Sequence, residues 1–316
     1  MVATFDQDAE AGSEATLREL LAIGEQTRRS LPQQLRHRVG FADPSLFDDE
    51  LIARTRGLLV HLTGQVAGAR PPGNGSADHL SARDAILRAL FDHPAMLSHC
   101  HALALEYRLT RRLAEQAQVD PLLPPVLQEL IASSNESTSR LASAVLAAQT
   151  RFLSNMERMQ LPLRQLPGEL LHDVFAIGRQ WLGQPIIADA VEQAVRTSYD
   201  EGATRVALLG RLVDIADFPK ARGWQLGEAG VALFLARLAV VGESSLQEAA
   251  LLTTQSQIAR LALTLRTFRC NPGAINRNLY IMHEEVALPI IAGMEPDAAS
   301  AMLAGSGQQQ SAQDAA

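Results

Sequence analysis

His172 and Asp173, in the segment LPGELLHDVF, are the side-chain pair best suited to chemistry. A helical histidine followed by an acidic residue can accept a phosphoryl group, provided that its imidazole is exposed. Short motifs of this kind often match by chance. No proline follows His172 within a few residues, and no glycine-rich nucleotide-binding half accompanies it. Phosphotransfer or signalling through His172 is therefore an alternative function rather than the leading one.

The same pair could begin a metal site of the HD phosphohydrolase type, with His99 or His101 and Asp214 as further ligands. Such a site needs several histidine and aspartate side chains to converge in space. The intervals along the chain fit that arrangement poorly. His99 and His101 are two residues apart on a predicted helix, so they lie on different faces and cannot share one metal. This metal hydrolase is the further alternative.

Two other patterns are weaker. Glu169 and His172 form one Glu-x-x-His pair, whereas a diiron bundle needs two such pairs and two more carboxylates. Cys100 and Cys270 stand alone in apolar helical segments, which is typical of small buried hydrophobic residues. We expect no metal, no cofactor and no catalytic residues.

Arg108, Arg111 and Arg112 lie near the end of a predicted helix, where the helix dipole favours positive charge. Such a run is usually a solvated face. The alternative is a docking surface for an acidic or phosphorylated partner. Arg196 and Asp200 complete this candidate interaction surface.

A capping box is predicted at Ser198, where each side chain would satisfy a backbone N–H near the helix start, with Glu201 as the second member. In that interpretation Arg196 pairs with Asp200, and Arg205 pairs with Glu201. A structural hinge between two helices is favoured here over a binding site.

Helical periodicity runs through nearly the whole chain, and two-residue alternation is almost absent. Aromatic residues are only 4%, which disfavours a β-sandwich or barrel. Helix-start signals recur, so the predicted fold is all-α. It is either a HEAT-like solenoid of irregular stacked helical hairpins or a compact multi-helix bundle. The start signals are Thr16 with Glu19, Ser81 with Asp84, Ser133 with Glu136, Ser245 with Glu248, Asn271-Pro272 and Glu295-Pro296.

Proline and glycine crowd the segment GARPPGNGSAD, which predicts a linker because neither helix nor strand persists there. The predicted organisation is a short helical N-terminal region at 1–67, a linker at 68–80, a main helical-repeat domain at 81–304 and a disordered tail at 305–316.

The formal net charge of −7 argues against a nucleic-acid partner. No apolar run approaches the ~20 residues that span a bilayer. The first twelve residues carry acidic side chains and no apolar core, unlike a signal peptide. We therefore expect a cytoplasmic protein that does not bind membranes.

Four segments resemble a bacterial family of uncharacterised helical proteins, catalogued as domain of unknown function 2336. The resemblance spans roughly 81–305 and rests on helix-and-break patterning. It implies an α-helical, solenoid-like protein with no assigned reaction, and it supplies no catalytic residues. The segments are DPLLPPVLQELIAS (Asp120–Ser133), MQLPLRQLPGELLH (Met159–His172), SYDEGATRVALLGRLV (Ser198–Val213) and LALTLRTF (Leu261–Phe268).

The leading functional hypothesis is a non-enzymatic helical scaffold or regulatory protein-interaction module, since extended helical surfaces suit partner binding. A protein partner is expected. Its identity, the pathway and the oligomeric state stay open.

Overall fold

The computed structural model describes residues 3–37, 49–67, 76–182, 192–284 and 288–313. The predicted all-α class is confirmed, because helices and short turns account for the regular structure in these ranges and no strand occurs there. The helices are α1 (Ala3–His37), α2 (Asp49–Ala67), α3 (Ser76–Asp92), α4 (Pro94–Gln116), α5 (Pro125–Ile131), α6 (Glu136–Glu157), α7 (Gly168–Leu182), α8 (192–197), α9 (Arg205–Asp214), α10 (Leu226–Val241), α11 (Leu246–Leu252), α12 (Ile258–Thr267), α13 (Pro272–His283), α14 (Ile290–Gly293) and α15 (Pro296–Gln313).

Several predicted helix starts are confirmed. Ser245 and Glu248 form the reciprocal capping box that begins α11. Asn271 caps α13, with Pro272 at its first position. Helix α15 begins at Pro296, as its Glu-Pro signal predicts.

Three predicted starts are wrong. Thr16 lies inside α1, which begins at Ala3, and Ser81 lies inside α3, which begins at Ser76. Alanine and glutamate residues between positions 3 and 15 favour helix, so α1 extends past Thr16. Helix α6 is capped by Asn135 instead of Ser133, whose hydroxyl accepts a hydrogen bond from the Asn135 backbone N–H.

Helix α4 lies between two apolar clusters and contributes side chains to both. Leu109 and Leu113 belong to the larger cluster, which also contains residues of α1, α10 and α12. Leu97 and Cys100 belong to the second, which also contains residues of α2, α3 and α7. Because α4 is buried nearly all round, its polar residues must find partners inside the protein.

Helix α10 carries apolar side chains on every side, and most of them are buried. Its Gly230 has a φ of 68°, and a Cβ there would lie 2.9 Å from Pro124 Cγ. Only glycine tolerates this combination of backbone angle and close approach, so the residue fixes how α10 meets the loop before α5.

The helices before the predicted linker pack against those after it. Helix α1 contacts α12, α15 and α4, and α2 contacts α4, α3 and α7. Residues 68–75 of that linker lie outside the described ranges, and residues 76–80 form the start of α3. The domain boundaries stay predictions, as does the choice between a solenoid and a bundle.

The C-terminal segment predicted to be a disordered tail is helical in the structure as far as Gln313, within α15. Its alanine and glutamine residues favour helix. Residues 314–316 lie outside the described ranges.

Within the described ranges, no individual helix combines the length and the apolar composition that crossing a membrane requires. Helices α10 and α11 meet that test only together, across a bend of 113°.

Candidate functional site

A buried ion pair joins α4 to the first residue of α9. The Arg205 guanidinium donates to both carboxylate oxygens of Glu106 and, at 2.7 Å, to Gln149 Oε1 on α6. The side chains of Arg205 and Glu106 are only 5% and 1% exposed. The guanidinium also lies 3.8 Å from the ring centroid of Phe152. Each charge is therefore compensated inside the protein.

The predicted pairing of Arg205 with Glu201 is wrong. Arg205 turns inward to Glu106, and Glu201 instead accepts a hydrogen bond of 3.3 Å from the Gly168 backbone N–H. Spacing along the helix identified the nearest carboxylate in sequence, but a buried arginine is more stable beside a carboxylate that is also removed from water.

Two adjoining cavities lie next to this ion pair, and we call them together the cleft. Both are lined by His99, Leu103 and Val206. The polar limb has a volume of about 110 Å³ and the apolar limb about 240 Å³. The polar limb is also lined by Arg151, Asn155, Gln160 and Gln165, and the apolar limb by Ala102, Gly210, Ala236, Ala239 and Val240.

His99 lies at the junction of the two limbs and is 4% exposed. Burial lowers the pKa of its imidazole from 6.5 to about 4, so the ring is neutral at pH 7. The amide nitrogen of Gln247 lies 2.9 Å from Nδ1. Because that amide donates, Nδ1 accepts and the ring proton resides on Nε2. Nε2 is a buried donor with no partner among the described residues.

The rim of the cleft combines apolar side chains with the cation Arg151, which is unpaired within the described ranges. Val206 and Val240, which line the apolar limb, are exposed, as is the neighbouring Val241. Arg151 is exposed beside the polar limb, and none of the residues that the structure describes pairs with it. The solvent-exposed rim of the cleft is thus apolar at the valines and positively charged at Arg151.

His172, the candidate phosphoacceptor, is exposed on α7. Its Nδ1 lies 3.4 Å from a guanidinium nitrogen of Arg196. Asp173 lies 3.3 Å from Nε2 of His93. The cation next to His172 is therefore Arg196, and Asp173 contacts His93 instead of His172.

The HD-type ligand set does not come together. His99 and His101 are buried in α4, whereas His172 on α7 and Asp214 on α9 are exposed. In the part of the chain that the structure describes, no three His, Cys, Asp or Glu side chains are grouped so that they could hold a metal ion.

Arg196 and Asp200 do not pair, so that prediction is wrong as well. Arg196 binds Glu192, one turn earlier on α8, at 2.6 Å. Asp200 accepts a hydrogen bond from the Gly202 backbone N–H and caps the short turn Glu201–Ala203. The Asp200 carboxylate accepts from a backbone N–H two residues away and therefore does not need the Arg196 guanidinium as a partner.

The predicted capping role of Ser198 is also wrong. Its hydroxyl donates to the carbonyls of Ala194 and Val195 at the end of α8. Thr204 caps α9 instead, because its Oγ1 accepts from the Ala207 backbone N–H.

The three arginines of α4 differ in their surroundings. Arg111 is exposed and pairs with Glu115 at 2.9 Å. Arg112 donates to the carbonyl of Met282 at the end of α13, and burial, followed by the charge of Arg108, lowers its pKa. Arg112 therefore ties α4 to α13 rather than forming a solvated face.

Periodicity did not reveal the polar residues of the cleft. Glu106, Gln149 and Gln247 lie on helices, and helical periodicity does not distinguish their side chains from exposed polar ones. The available signal was a glutamate within the apolar run ALALEYRL, since an acidic residue there needs a buried partner.

Comparison with known proteins adds no relative: no family model, no curated protein and no solved structure matches the chain. The fold and the cleft together define an all-α protein with a partly apolar cavity beside a buried ion pair.

Proposed function

We propose that this protein is a non-enzymatic helical scaffold that acts by binding, in the cytoplasm, and that the cleft is its binding site. Its regulatory role would be exerted through a protein partner that senses whether the cleft is occupied. The resemblance to the bacterial family of unknown function agrees with this proposal, because it implies a helical protein without an assigned reaction.

The observation that carries the proposal is the state of the charged and titratable groups in the cleft. His99 has a pKa of about 4 and is a poor proton acceptor at pH 7. Arg205 and Glu106 neutralise each other. A cavity with apolar walls and few orienting polar groups is typical of a ligand site, and exposed valines at its rim suit an apolar ligand.

The dye anilinonaphthalenesulfonate tests the proposal, because its fluorescence rises in apolar sites. We expect the purified full chain to bind the dye saturably, and Gly210→Leu to abolish that binding. Gly210 lines the apolar limb, and a Cβ there would lie 3.8 Å from Val240 Cγ2, an ordinary contact. The leucine therefore fills the cavity without forcing the backbone apart.

Gly64→Leu is the matched control, since Gly64 lies inside α2 with nothing within 4 Å of an added Cβ. It should leave dye binding unchanged. Equal dye binding by Gly210→Leu and the wild type would refute the cleft as the binding site.

A second candidate function, phosphotransfer, is favoured by the exposed imidazole of His172 beside Arg196. A guanidinium next to a phosphorylated imidazole would stabilise the added charge. Incubation with radiolabelled acetyl phosphate should then give acid-labile label that His172→Gln removes. Label that persists in that variant would exclude His172 as the acceptor.

A further inference from the structure

We infer that the ligand of the cleft is an aliphatic monocarboxylate, with its carboxylate in the polar limb and its hydrocarbon chain in the apolar limb. This inference rests on the proposed function, because it specifies what the cleft binds.

The imidazole of His99 is the first reason. A buried N–H without an acceptor costs free energy, and Nε2 of His99, a side chain that lines both limbs, has no acceptor among the described residues. A ligand oxygen that reaches Nε2 would remove that cost. The ring is neutral, so it offers one directed hydrogen bond and no charge.

Arg151 supplies the charge. It lines the polar limb, is exposed, and has no partner among the residues described. Among the described residues that line the cleft, the other arginine is Arg205, and Glu106 already neutralises it. The uncompensated charge that these residues place at the polar limb is therefore positive, which favours an anionic head group. The Asn155 and Gln160 amides that also line this limb suit a carboxylate as well.

The apolar limb fits a hydrocarbon chain. Ala102, Ala236 and Ala239 have small side chains that leave space along α4 and α10, and Val206 and Val240 continue this surface to the rim. Burying a chain there contributes roughly 25 cal/mol for each Å² of apolar surface removed from water. The cleft thus offers polar side chains in one limb and apolar walls in the other, which matches a molecule with a carboxylate at one end and a hydrocarbon chain at the other.

Isothermal titration calorimetry with decanoate, below the concentration at which it aggregates, tests the inference. The full-length wild type should bind decanoate, and Gly210→Leu should not. Arg151→Gln should weaken binding roughly fivefold, the effect of losing one exposed ion pair. Arg140→Gln is the matched control, since Arg140 lies on the same helix and pairs with Glu136 at the surface. Methyl decanoate lacks the charge, so its affinity should not change in Arg151→Gln.

The outcomes separate this inference from the proposed function. If Gly210→Leu abolishes dye binding but decanoate does not bind, the cleft remains a binding site and the carboxylate assignment is wrong. Decanoate binding that survives both Gly210→Leu and Arg151→Gln would be adsorption elsewhere and would overturn the inference. Displacement of the dye by an apolar peptide but not by decanoate would assign the cleft to a protein segment instead. If Gly210→Leu also fails to affect the dye, both proposals fall.

Discussion

The Arg205 guanidinium and the Glu106 carboxylate are almost completely removed from water, so each depends on the other. The attraction between them is offset by the cost of removing both charges from solvent. Gln149 and the Phe152 ring complete the surroundings of the guanidinium. The pair therefore fixes the position of α9 against α4, and with it one wall of the cleft.

Removing one member of this pair leaves the other charge buried. We expect Arg205→Met to lower the free energy of unfolding by about 3–5 kcal/mol, measured by urea denaturation. Replacing Glu106 with leucine in the same chain should recover much of that loss. Glu201→Gln, at the carboxylate that the sequence pairs with Arg205, should cost less than about 1 kcal/mol. A larger effect at Glu201 than at Arg205 would contradict the observed pairing.

The buried imidazole of His99 predicts a pH dependence. Its folded pKa is about 4, below the ordinary 6.5. The unfolded chain therefore binds a proton as the pH falls from 6.5 to about 4 while the folded chain does not, so stability falls with falling pH. His99 contributes about 3 kcal/mol to this loss. The unfolding free energies of the wild type and His99→Gln should converge as the pH falls through this range. Parallel plots of unfolding free energy against pH would show that the pKa of His99 is not lowered.

Cys100 and Cys270 show which single-residue features are readable from the sequence. Both were predicted to be small buried hydrophobic residues, and both are buried free cysteines. Their apolar neighbours carry that information locally. The burial of Glu106 depends on Arg205, ninety-nine residues further along the chain, and no local pattern contains it.

At the scale of elements, the segment between α8 and α9 holds several residues that could cap a helix. Ser198, Asp200 and Thr204 all have short polar side chains. The chain uses Ser198 to close α8, Asp200 to cap a short turn and Thr204 to begin α9. The sequence correctly predicts a break here, but the choice among equivalent caps depends on where Arg205 must point.

This assignment predicts different costs at the two hydroxyl residues. Thr204→Ala should lower the free energy of unfolding by about 1 kcal/mol, because it removes the N-cap of α9. Ser198→Ala should cost only a few tenths of a kcal/mol, since it removes side-chain bonds to carbonyls at a helix end. Thermal and urea unfolding of both variants measure this. A larger loss of stability in Ser198→Ala than in Thr204→Ala would support a capping box at Ser198 instead.

At the scale of the whole molecule, α1 packs against α12 and the short turn before it, 233 residues further along the chain. A Cβ on Gly24 would lie 2.6 Å from the Ser256 carbonyl oxygen, so the two backbones are in close contact. The amide of Gln257 donates to the Gly24 carbonyl, and Arg260 binds Glu25 at 3.1 Å. Periodicity predicts that α1 has an apolar face, but it does not specify which helix covers that face.

Gly24→Ala tests this attachment. The added methyl group would meet a backbone atom, which cannot move aside cheaply, so we expect a loss of about 1–3 kcal/mol. Gly64→Ala should be neutral or slightly stabilising, because the space around it is open and alanine favours helix. Faster proteolytic cleavage within α1 should accompany the loss in Gly24→Ala. Stabilisation by Gly24→Ala would mean that α1 does not pack closely on the chain near Ser256.

The most direct test of the central claim, that the cleft around His99 binds a ligand, is nuclear magnetic resonance of the protein labelled with ¹⁵N-histidine. Titration with anilinonaphthalenesulfonate should shift the His99 Nε2–H signal saturably, at the dye concentrations that raise fluorescence. The exposed His172 signal should stay in place, and Gly210→Leu should suppress the His99 shift. Full dye binding with an unchanged His99 signal would contradict the account, because the dye would then occupy another site.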